Sequence, residues 1–253
     1  MTDEFVKKLC SEYAGTIYYD RLILGKWKRA EGAIYRKFAD NPESYRCEIT
    51  SGKVNPQSSV KQFRKDDLVS IEIGLDFGGN QSGHAFVARG YTDNYQDVII
   101  LASRRITAGD TDAPIDSNVL DKMFCGFIGH VENIYGLTSW DGIHNLESVY
   151  WDNAETVLGN SIRNAVEREF PWITVRPAQK RQIKDRIDCT LQLMGSGRFW
   201  YTADARTVAK ALTESVWDKT KAYDERLDDG STDIDSLDAM EYTIERDMKD
   251  LIA

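Results

Sequence analysis

The sequence predicts an α/β fold in which a mixed sheet is flanked by helices. From Val69 onward, short apolar or alternating runs bounded by Gly, Asn and Asp indicate strands, and longer segments with apolar residues at helical spacing indicate helices. Their order is three strands and then helices and strands in alternation, as expected of a mixed sheet with helices on its faces. The 253 residues are 42% apolar and 29% charged, so a folded globular protein is expected and disorder is excluded.

The segment before this pattern, residues 1–66, predicts a mostly helical N-terminal extension. It contains EFVKKLCSEYAGTIYYDRLILGKWKRAEGAIYRKF, which is helical in character and rich in aromatic residues. The polar stretch SGKVNPQSSVKQFRKDD follows and is typical of a loop or linker. We therefore place a domain boundary near residue 66 and expect the main domain to span residues 67–253.

Three consecutive strands open the main domain and are expected to form a meander. Each is a short apolar or alternating run that ends near Gly, Asn or Asp. The three ranges are 69–77, 84–91 and 97–106. Residues 117–135 then have apolar side chains at helical spacing, and Asp116 or Ser117 can cap that helix.

The rest of the chain alternates strands with helices. Strands are predicted at 149–151, in PWITVRPA and in GRFWY, and helices at 154–169, 179–194, 204–217 and 234–251. The acidic stretch DERLDDGSTDID separates the last two helices and is predicted to be a loop. No internal repeat or low-complexity segment interrupts this order.

Composition excludes some classes of protein. No apolar run approaches the length of about 18 residues that a membrane helix needs, and the N-terminus has no signal-peptide pattern, so a membrane or secreted protein is not expected. The cysteines are far apart in the sequence and form no CxxC pair, which is typical of free thiols in a reducing compartment. They are Cys10, Cys47, Cys125 and Cys189. A cytoplasmic protein is therefore expected.

The formal net charge of −9 argues against a partner as acidic as DNA, because phosphate binding normally uses clustered Lys and Arg. Two basic clusters nevertheless occur, one with Lys26, Lys28 and Arg29 and one between Arg176 and Arg186. Either cluster can be a solvated surface. Acidic residues elsewhere can equally outweigh a local basic groove, so the net charge alone does not exclude DNA.

Two aspartates stand at the ends of predicted strands. Asp76 lies on the strand face opposite the apolar residues and directly precedes the Gly-rich turn FGGNQSG. Asp152 follows the apolar run at 149–151 and precedes a helix. Ligands commonly bind at strand ends in α/β proteins. A turn aspartate at 76 and a helix cap at 152 remain alternatives.

A third acidic position lies on the last predicted helix. Asp235 and Asp238 are spaced i, i+3 and share one face, while an apolar stripe that includes Leu237 and Ile244 docks the helix. Acids this close repel each other, and a divalent cation relieves the repulsion. Both can also be simple partners of the helix dipole.

Together, the three acidic positions predict a site for two Mg²⁺ or Mn²⁺ ions. Two strand-end aspartates and a helix aspartate can converge and hold two ions about 4 Å apart, which activate water and stabilise the leaving oxygen in phosphodiester hydrolysis. Carboxylate oxygens suit these hard cations. The cysteines and the three histidines, His84, His130 and His144, show no zinc-ligand spacing.

Four stretches form a longer pattern that covers nearly the whole chain. They are YYDRLILGKWKRAEGAIY (18–35), IGLDFGG (73–79), VYWDNAE (149–155) and DSLDAMEY (235–242). Their order and separation resemble the C-terminal nuclease domain of the terminase large subunit of tailed bacteriophages, and LGxWxxAEGxIY is the most specific motif. The resemblance implies a ribonuclease H-like fold. It also implies an endonuclease that cuts concatemeric double-stranded viral DNA, with little sequence specificity, during genome packaging.

The resemblance implies roles for individual residues. Asp76 resembles the aspartate that contacts both metal ions, Asp152 the second strand-end ligand, and Asp238 the ligand on the final helix. Members of the family often have His three residues before that last aspartate; this chain departs from the pattern with Asp235, which could bind metal directly or through water. Contacts to the phosphate backbone then dominate DNA binding. Candidates for the DNA groove are Arg104, Arg105, Lys180, Arg181 and Lys184.

The resemblance implies partners as well. Related proteins join this nuclease to an N-terminal ATPase motor, but this sequence has no GxxxxGK[ST] phosphate loop, so we expect an excised nuclease domain without its motor. Residues 1–66 are then the connecting segment from the motor. The terminase small subunit and the capsid portal are further expected partners, and the cytoplasm of the infected bacterial host is the expected location.

Two other functions remain open. GLDFGGNQSG also resembles the phosphate-binding hairpin of sugar kinases and actin-like ATPases, whose Gly-rich turn cradles phosphate, but no second Gly-rich repeat is present for the duplicated half of such proteins. The chain could also be a non-catalytic module that binds the portal or a partner subunit. Divalent-metal binding separates the three functions.

Overall fold

The structure, a computed structural model, describes residues 3–16, 18–26, 32–78, 83–110, 115–221 and 224–252. Its strands are β1 (Cys47–Thr50), β2 (Lys61–Arg64), β3 (Ser70–Asp76), β4 (His84–Tyr91), β5 (Val98–Ile106), β6 (Leu146–Trp151), β7 (Thr174–Pro177) and β8 (Phe199–Tyr201). Its helices are α1 (Asp3–Tyr13), α2 (Arg36–Asp40), α3 (Ser117–Tyr135), α4 (Thr156–Glu169), α5 (Ile183–Gly195), α6 (Arg206–Glu214), α7 (Ile234–Ile244) and α8 (Met248–Leu251). Among the helices in these ranges, none combines the length and apolar character needed to cross a membrane. Lys28, Arg29 and Gly79 lie outside the described residues.

A mixed six-stranded sheet forms the centre of the fold, with the strand order β7-β6-β3-β4-β5-β8. β3, β4 and β5 pair antiparallel as the predicted meander. β6 lies parallel to β3, β7 parallel to β6, and β8 parallel to β5. The strands and helices predicted between residues 69 and 217 are all present, with small differences at their ends. The predicted α/β class is therefore confirmed.

Helices α3 and α4 cover one face of the sheet. The apolar side of β3, formed by Ile71, Ile73 and Leu75, is fully buried in this layer. Asp116 caps α3 as predicted, because its carboxylate accepts a hydrogen bond from the Val119 N–H at 2.9 Å.

Residues of α1, α2, α5, α6 and α7 form the hydrophobic layer on the other face. This layer includes Tyr35 and Phe38 of the N-terminal segment, both fully buried. Burying two large aromatic side chains stabilises the fold by about 2–3 kcal/mol each relative to leaving them exposed. The N-terminal segment thus contributes directly to the core.

Helix α7 packs against β3 and β4, and a glycine allows its close approach. A Cβ atom at Gly74 would lie 1.8 Å from the carbonyl oxygen of Ala239 in the helix. Gly74 shares its strand face with Glu72 and Asp76, as the period-two pattern predicts. α7 therefore lies over the side of β3 that ends in Asp76.

Residues 61–64 form a strand where the sequence predicts a loop. β2 pairs in parallel with β1, and its Phe63 is buried next to Trp200 of β8, with the ring centroids 6.0 Å apart. The aromatic partner lies far along the chain. The local polar pattern therefore could not indicate that this segment has a surface to bury.

The last predicted helix, 234–251, is interrupted in the structure. α7 ends at Ile244, and α8 begins at Met248. Arg89 donates a hydrogen bond to the carbonyl oxygen of Thr243, which in a continuous helix would accept from residue 247. The carboxylate of Glu245 accepts hydrogen bonds from the loop at residues 179–181. Tertiary hydrogen bonds thus accompany the end of the helix.

Candidate active site

The carboxyl ends of β3 and β6 bring two of the predicted aspartates together. Asp76 is the last residue of β3, and Asp152 directly follows β6, its parallel neighbour. The Asp152 N–H donates to the Leu75 carbonyl oxygen at 3.1 Å. Asp152 is not a helix cap, because α4 begins only at Thr156; its carboxylate closes a turn by accepting from the Ala154 N–H at 2.8 Å.

Helix α7 brings the other two predicted acids to this edge of the sheet. Its close contact with β3 at Gly74 places the helix beside the end of the strand. The Tyr242 hydroxyl donates to Asp76 Oδ1 at 3.0 Å and connects the helix to the strand. Asp235 and Asp238 lie on the same helix, close enough to act electrostatically on Asp76.

The neighbouring acids of the site affect the ionisation of Asp76. Burial raises the pKa of Asp76 to about 8, with further contributions from the carboxylates of Asp238, Asp235 and Asp152. Burial also raises the pKa of Tyr242, and the neighbouring acids act in the same direction. Repulsion among partly buried carboxylates is what a bound divalent cation relieves.

Asp76, Asp152 and Asp238 are each held through one carboxylate oxygen. The donors to the first two are described above, and Asp238 Oδ1 accepts from Arg186 at 3.1 Å and from Arg226 at 2.5 Å. Within the described residues, the second oxygen of each accepts no hydrogen bond. Three hard oxygens at one sheet edge fit the chemistry of Mg²⁺ or Mn²⁺.

The side chains are not arranged around a common point in the part of the chain that the structure describes. There, no group of three or more His, Cys, Asp or Glu residues has the geometry of a metal site. The charges at Asp152 and Asp238 are instead balanced by Lys180, Arg186 and Arg226. A shared cation would therefore require these carboxylates to turn towards it.

Asp235 has different partners from the other three acids. Its Oδ2 accepts from the Gly83 N–H at 2.9 Å and from Arg105 Nε at 2.9 Å. Arg105 also pairs with Asp233 at 3.1 Å, so its guanidinium group lies between two carboxylates at the start of α7. Asp235 thus holds the beginning of β4 and the end of β5 against this helix.

The other predicted DNA-contacting residues lie in two settings. Arg104 pairs with Asp204 at 2.8 Å. Lys180 forms an ion pair with Asp152 itself. Arg181 and Lys184 are exposed. The loop at residues 179–181 therefore carries one basic side chain that pairs with Asp152, Lys180, and one that is exposed, Arg181.

Four residues of the site are not predicted by the sequence analysis: Glu241, Tyr242, Arg186 and Arg226. Glu241 is almost fully buried; it accepts a hydrogen bond from Arg226 Nη1 at 2.8 Å and pairs with Arg186 at 3.0 Å. Glu241 and Tyr242 follow Asp238 by three and four positions, so helical spacing could have placed them beside it. Arg226 lies in the acidic stretch predicted as a loop and has no local signal.

We expect Asp76→Asn to stabilise the metal-free protein at pH 8 and to change its stability little at pH 4. The pKa of Asp76 is 3.8 ordinarily and about 8 in the fold, so folding favours the protonated carboxyl group. This contribution is complete below pH 3.8 and is lost as the pH rises through 8. At about 1.4 kcal/mol per pKa unit, the difference at pH 8 is on the order of a few kcal/mol. Thermal melts of both proteins in EDTA between pH 4 and pH 8 measure it, and parallel pH profiles would contradict it.

Solved structures share this fold. The large terminase of a thermophilic bacteriophage is similar over 97% of this chain, with a TM-score of 0.68 and 17% identity. The same protein in complex with ATP-γ-S has a TM-score of 0.67. The nuclease domain of the P22 large terminase is similar over 88% of this chain and 98% of its own length, with a TM-score of 0.55 and 13% identity.

These similarities concern the fold, and they confirm the predicted resemblance at that level. The chain has the ribonuclease H-like fold of terminase nuclease domains. It spans about half of the large terminase of the thermophilic bacteriophage, 52% of that chain. No protein-family model matches the sequence, and no curated protein matches it.

Proposed function

We propose that this chain is a divalent-metal-dependent endonuclease that cuts concatemeric double-stranded DNA, with little sequence specificity, during packaging of a bacteriophage genome. The observation that carries the proposal is the proximity of Asp76, Asp152 and Asp238 at one edge of the sheet. The fold, shared with the nuclease domain of the P22 large terminase, supports the same function.

In this proposal, Asp76, Asp152 and Asp238 hold two Mg²⁺ or Mn²⁺ ions. When bound, the ions would activate a water molecule and stabilise the leaving oxygen in phosphodiester hydrolysis. The carboxylates of Asp238 and Asp152 both act electrostatically on Asp76, which supports the proposal that Asp76 would contact both ions. Tyr242 orients Asp76, and the Arg186 and Arg226 pair orients Asp238. Asp235 holds Arg105, and a contact of Asp235 with metal through water is an additional proposed role.

DNA is proposed to bind through its phosphate backbone, which carries little sequence information. Arg181 and Lys184 are exposed in and just after the loop that reaches Asp152. Their positive charges can attract phosphates to a site that is otherwise acidic, although the whole chain carries a formal charge of −9. Arg104 and Arg105 would have to leave their carboxylate partners to make such contacts.

The proposal extends to a longer protein. Residues 1–66 are proposed to connect this nuclease, residues 67–253, to an ATPase motor domain. The terminase small subunit and the capsid portal are proposed partners, and the infected bacterial cytoplasm is the proposed location. The likeness to about half of the thermophilic bacteriophage's large terminase, a protein solved with ATP-γ-S, supports this arrangement.

Supercoiled plasmid incubated with the protein and Mn²⁺ tests the function. We expect nicked circles and then linear DNA from plasmids of unrelated sequence, and no cutting when EDTA removes the metal. Calorimetry separates the alternatives, because a nuclease should bind Mn²⁺ at two weak sites without nucleotide. A kinase-like protein should have a nucleotide-dependent metal site, and a non-catalytic module should have neither. Intact plasmid together with absent Mn²⁺ binding would refute the nuclease.

A further inference from the structure

Lys180 lies beside the carboxylate site in an uncommon backbone conformation. Its φ angle of 51° is in the left-handed region, which costs free energy for a residue other than glycine. From this position its ammonium group forms an ion pair with Asp152. An uncommon conformation thus accompanies a positive charge on one of the proposed metal ligands.

A buried carboxylate holds the backbone of this loop. Glu245 is fully buried just after α7 and accepts hydrogen bonds from three successive backbone N–H groups. The donors are Gln179, Lys180 and Arg181, the last two at 3.0 Å. Successive amides that converge on one anion fix a turn. The position of Lys180 is therefore tied to the helix that carries Asp238.

Lys180 differs from the arginines that contact Asp238. The side chains of Arg186 and Arg226 are only 7% and 3% exposed, and each pairs with two carboxylates. The Lys180 side chain is 38% exposed, and within the described ranges its ammonium group pairs with Asp152 alone. An ion pair at this exposure adds little stability. The ammonium group can therefore leave Asp152 while the loop backbone stays in place.

We propose that Lys180 takes the place of a divalent cation at Asp152 in the free protein and leaves when a DNA phosphate enters, so that DNA binding and metal binding are coupled. The inference rests on the proposed nuclease function. While the ammonium group pairs with Asp152, this carboxylate attracts a divalent cation less strongly. A DNA phosphate is a second anion that competes for the ammonium group of Lys180. When Lys180 leaves, the carboxylate of Asp152 no longer has a cation beside it and attracts a divalent cation more strongly. The site then binds metal tightly only when DNA is present.

Lys180→Met tests this coupling, because methionine removes the charge and keeps an unbranched side chain. The matched control is Lys53→Met, which removes the same charge from an exposed lysine in the loop between β1 and β2. Calorimetry without DNA measures the Mn²⁺ dissociation constant of each protein. We expect Lys180→Met to bind Mn²⁺ about three to ten times more tightly than the parent. Lys53→Met and the charge-retaining Lys180→Arg should match the parent.

The same titration on a short duplex with nuclease-resistant phosphorothioate linkages measures the coupling. DNA should tighten Mn²⁺ binding by the parent and by Lys53→Met, and should have a much smaller effect on Lys180→Met. Unchanged or weaker Mn²⁺ binding by Lys180→Met without DNA would overturn the role of Lys180 and leave the nuclease function standing. A parent protein that binds no Mn²⁺ under either condition would overturn the nuclease function and this inference with it.

Discussion

Asp76→Asn is expected to slow plasmid nicking in Mn²⁺ by about a thousandfold or more. Asp76 is buried at the end of β3, the carboxylates of both Asp152 and Asp238 act electrostatically on it, and it is the proposed ligand of both ions. Asparagine keeps the volume of the side chain and removes its negative charge. Losing several kcal/mol of transition-state stabilisation corresponds to a factor of this size. The initial rate of loss of supercoiled plasmid measures the effect.

The matched control for this variant is Asp141→Asn. Asp141 is exposed in the loop that precedes β6, whereas the site lies where β6 ends. The control variant loses the same charge away from the site and should cut DNA at the parent's rate. The single variants Asp152→Asn and Asp238→Asn should lose activity, as Asp76→Asn does. A folded Asp76→Asn protein that nicks plasmid as fast as the parent would remove Asp76 from the metal site.

Gly74→Ala is expected to lower the free energy of unfolding by about 3 kcal/mol or more. The added Cβ atom would lie 1.8 Å from the carbonyl oxygen of Ala239 and 3.1 Å from Cγ2 of Thr243. The nearest of these atoms belongs to the helix backbone, which cannot rotate away as a flexible side chain can. α7 must therefore move off β3, which also separates Asp238 from Asp76. Urea unfolding, followed by circular dichroism, measures the loss.

Gly126→Ala is the matched control, because it makes the same substitution inside α3, where a Cβ atom would have no neighbour within 4 Å. Alanine favours a helix by about 1 kcal/mol relative to glycine, so this variant should be as stable as the parent or slightly more stable. If Gly74→Ala unfolds at the same urea concentration as the parent, α7 does not contact β3 as closely as the structure has it.

The elements that carry the site followed from sequence periodicity. Alternation along β3 put Glu72, Gly74 and Asp76 on one face, and the structure confirms that face as the one under α7. Helical spacing and a cap at Asp116 likewise predicted α3. These features depend on residues a few positions apart, so the local pattern is sufficient to predict them.

The partners of the charged side chains did not follow from the sequence. Arg105 was a candidate for DNA contact, yet it bonds Asp235, 130 positions away. Arg226 was part of a predicted loop, yet it is almost fully buried between Asp238 and Glu241. Such pairs form between distant segments, and nothing in the spacing of either residue indicates the other.

Local pattern therefore identified the strands, the helices and the acidic residues that could converge. The tertiary structure decides which donors and which basic side chains contact each aspartate. These contacts depend on how closely α7 approaches the sheet. That approach is set by the absence of a side chain at Gly74, together with the loop that Glu245 fixes. Both are contacts between segments far apart in the chain, and the charge balance around Asp76, Asp152 and Asp238 is a consequence of the packing that brings those segments together.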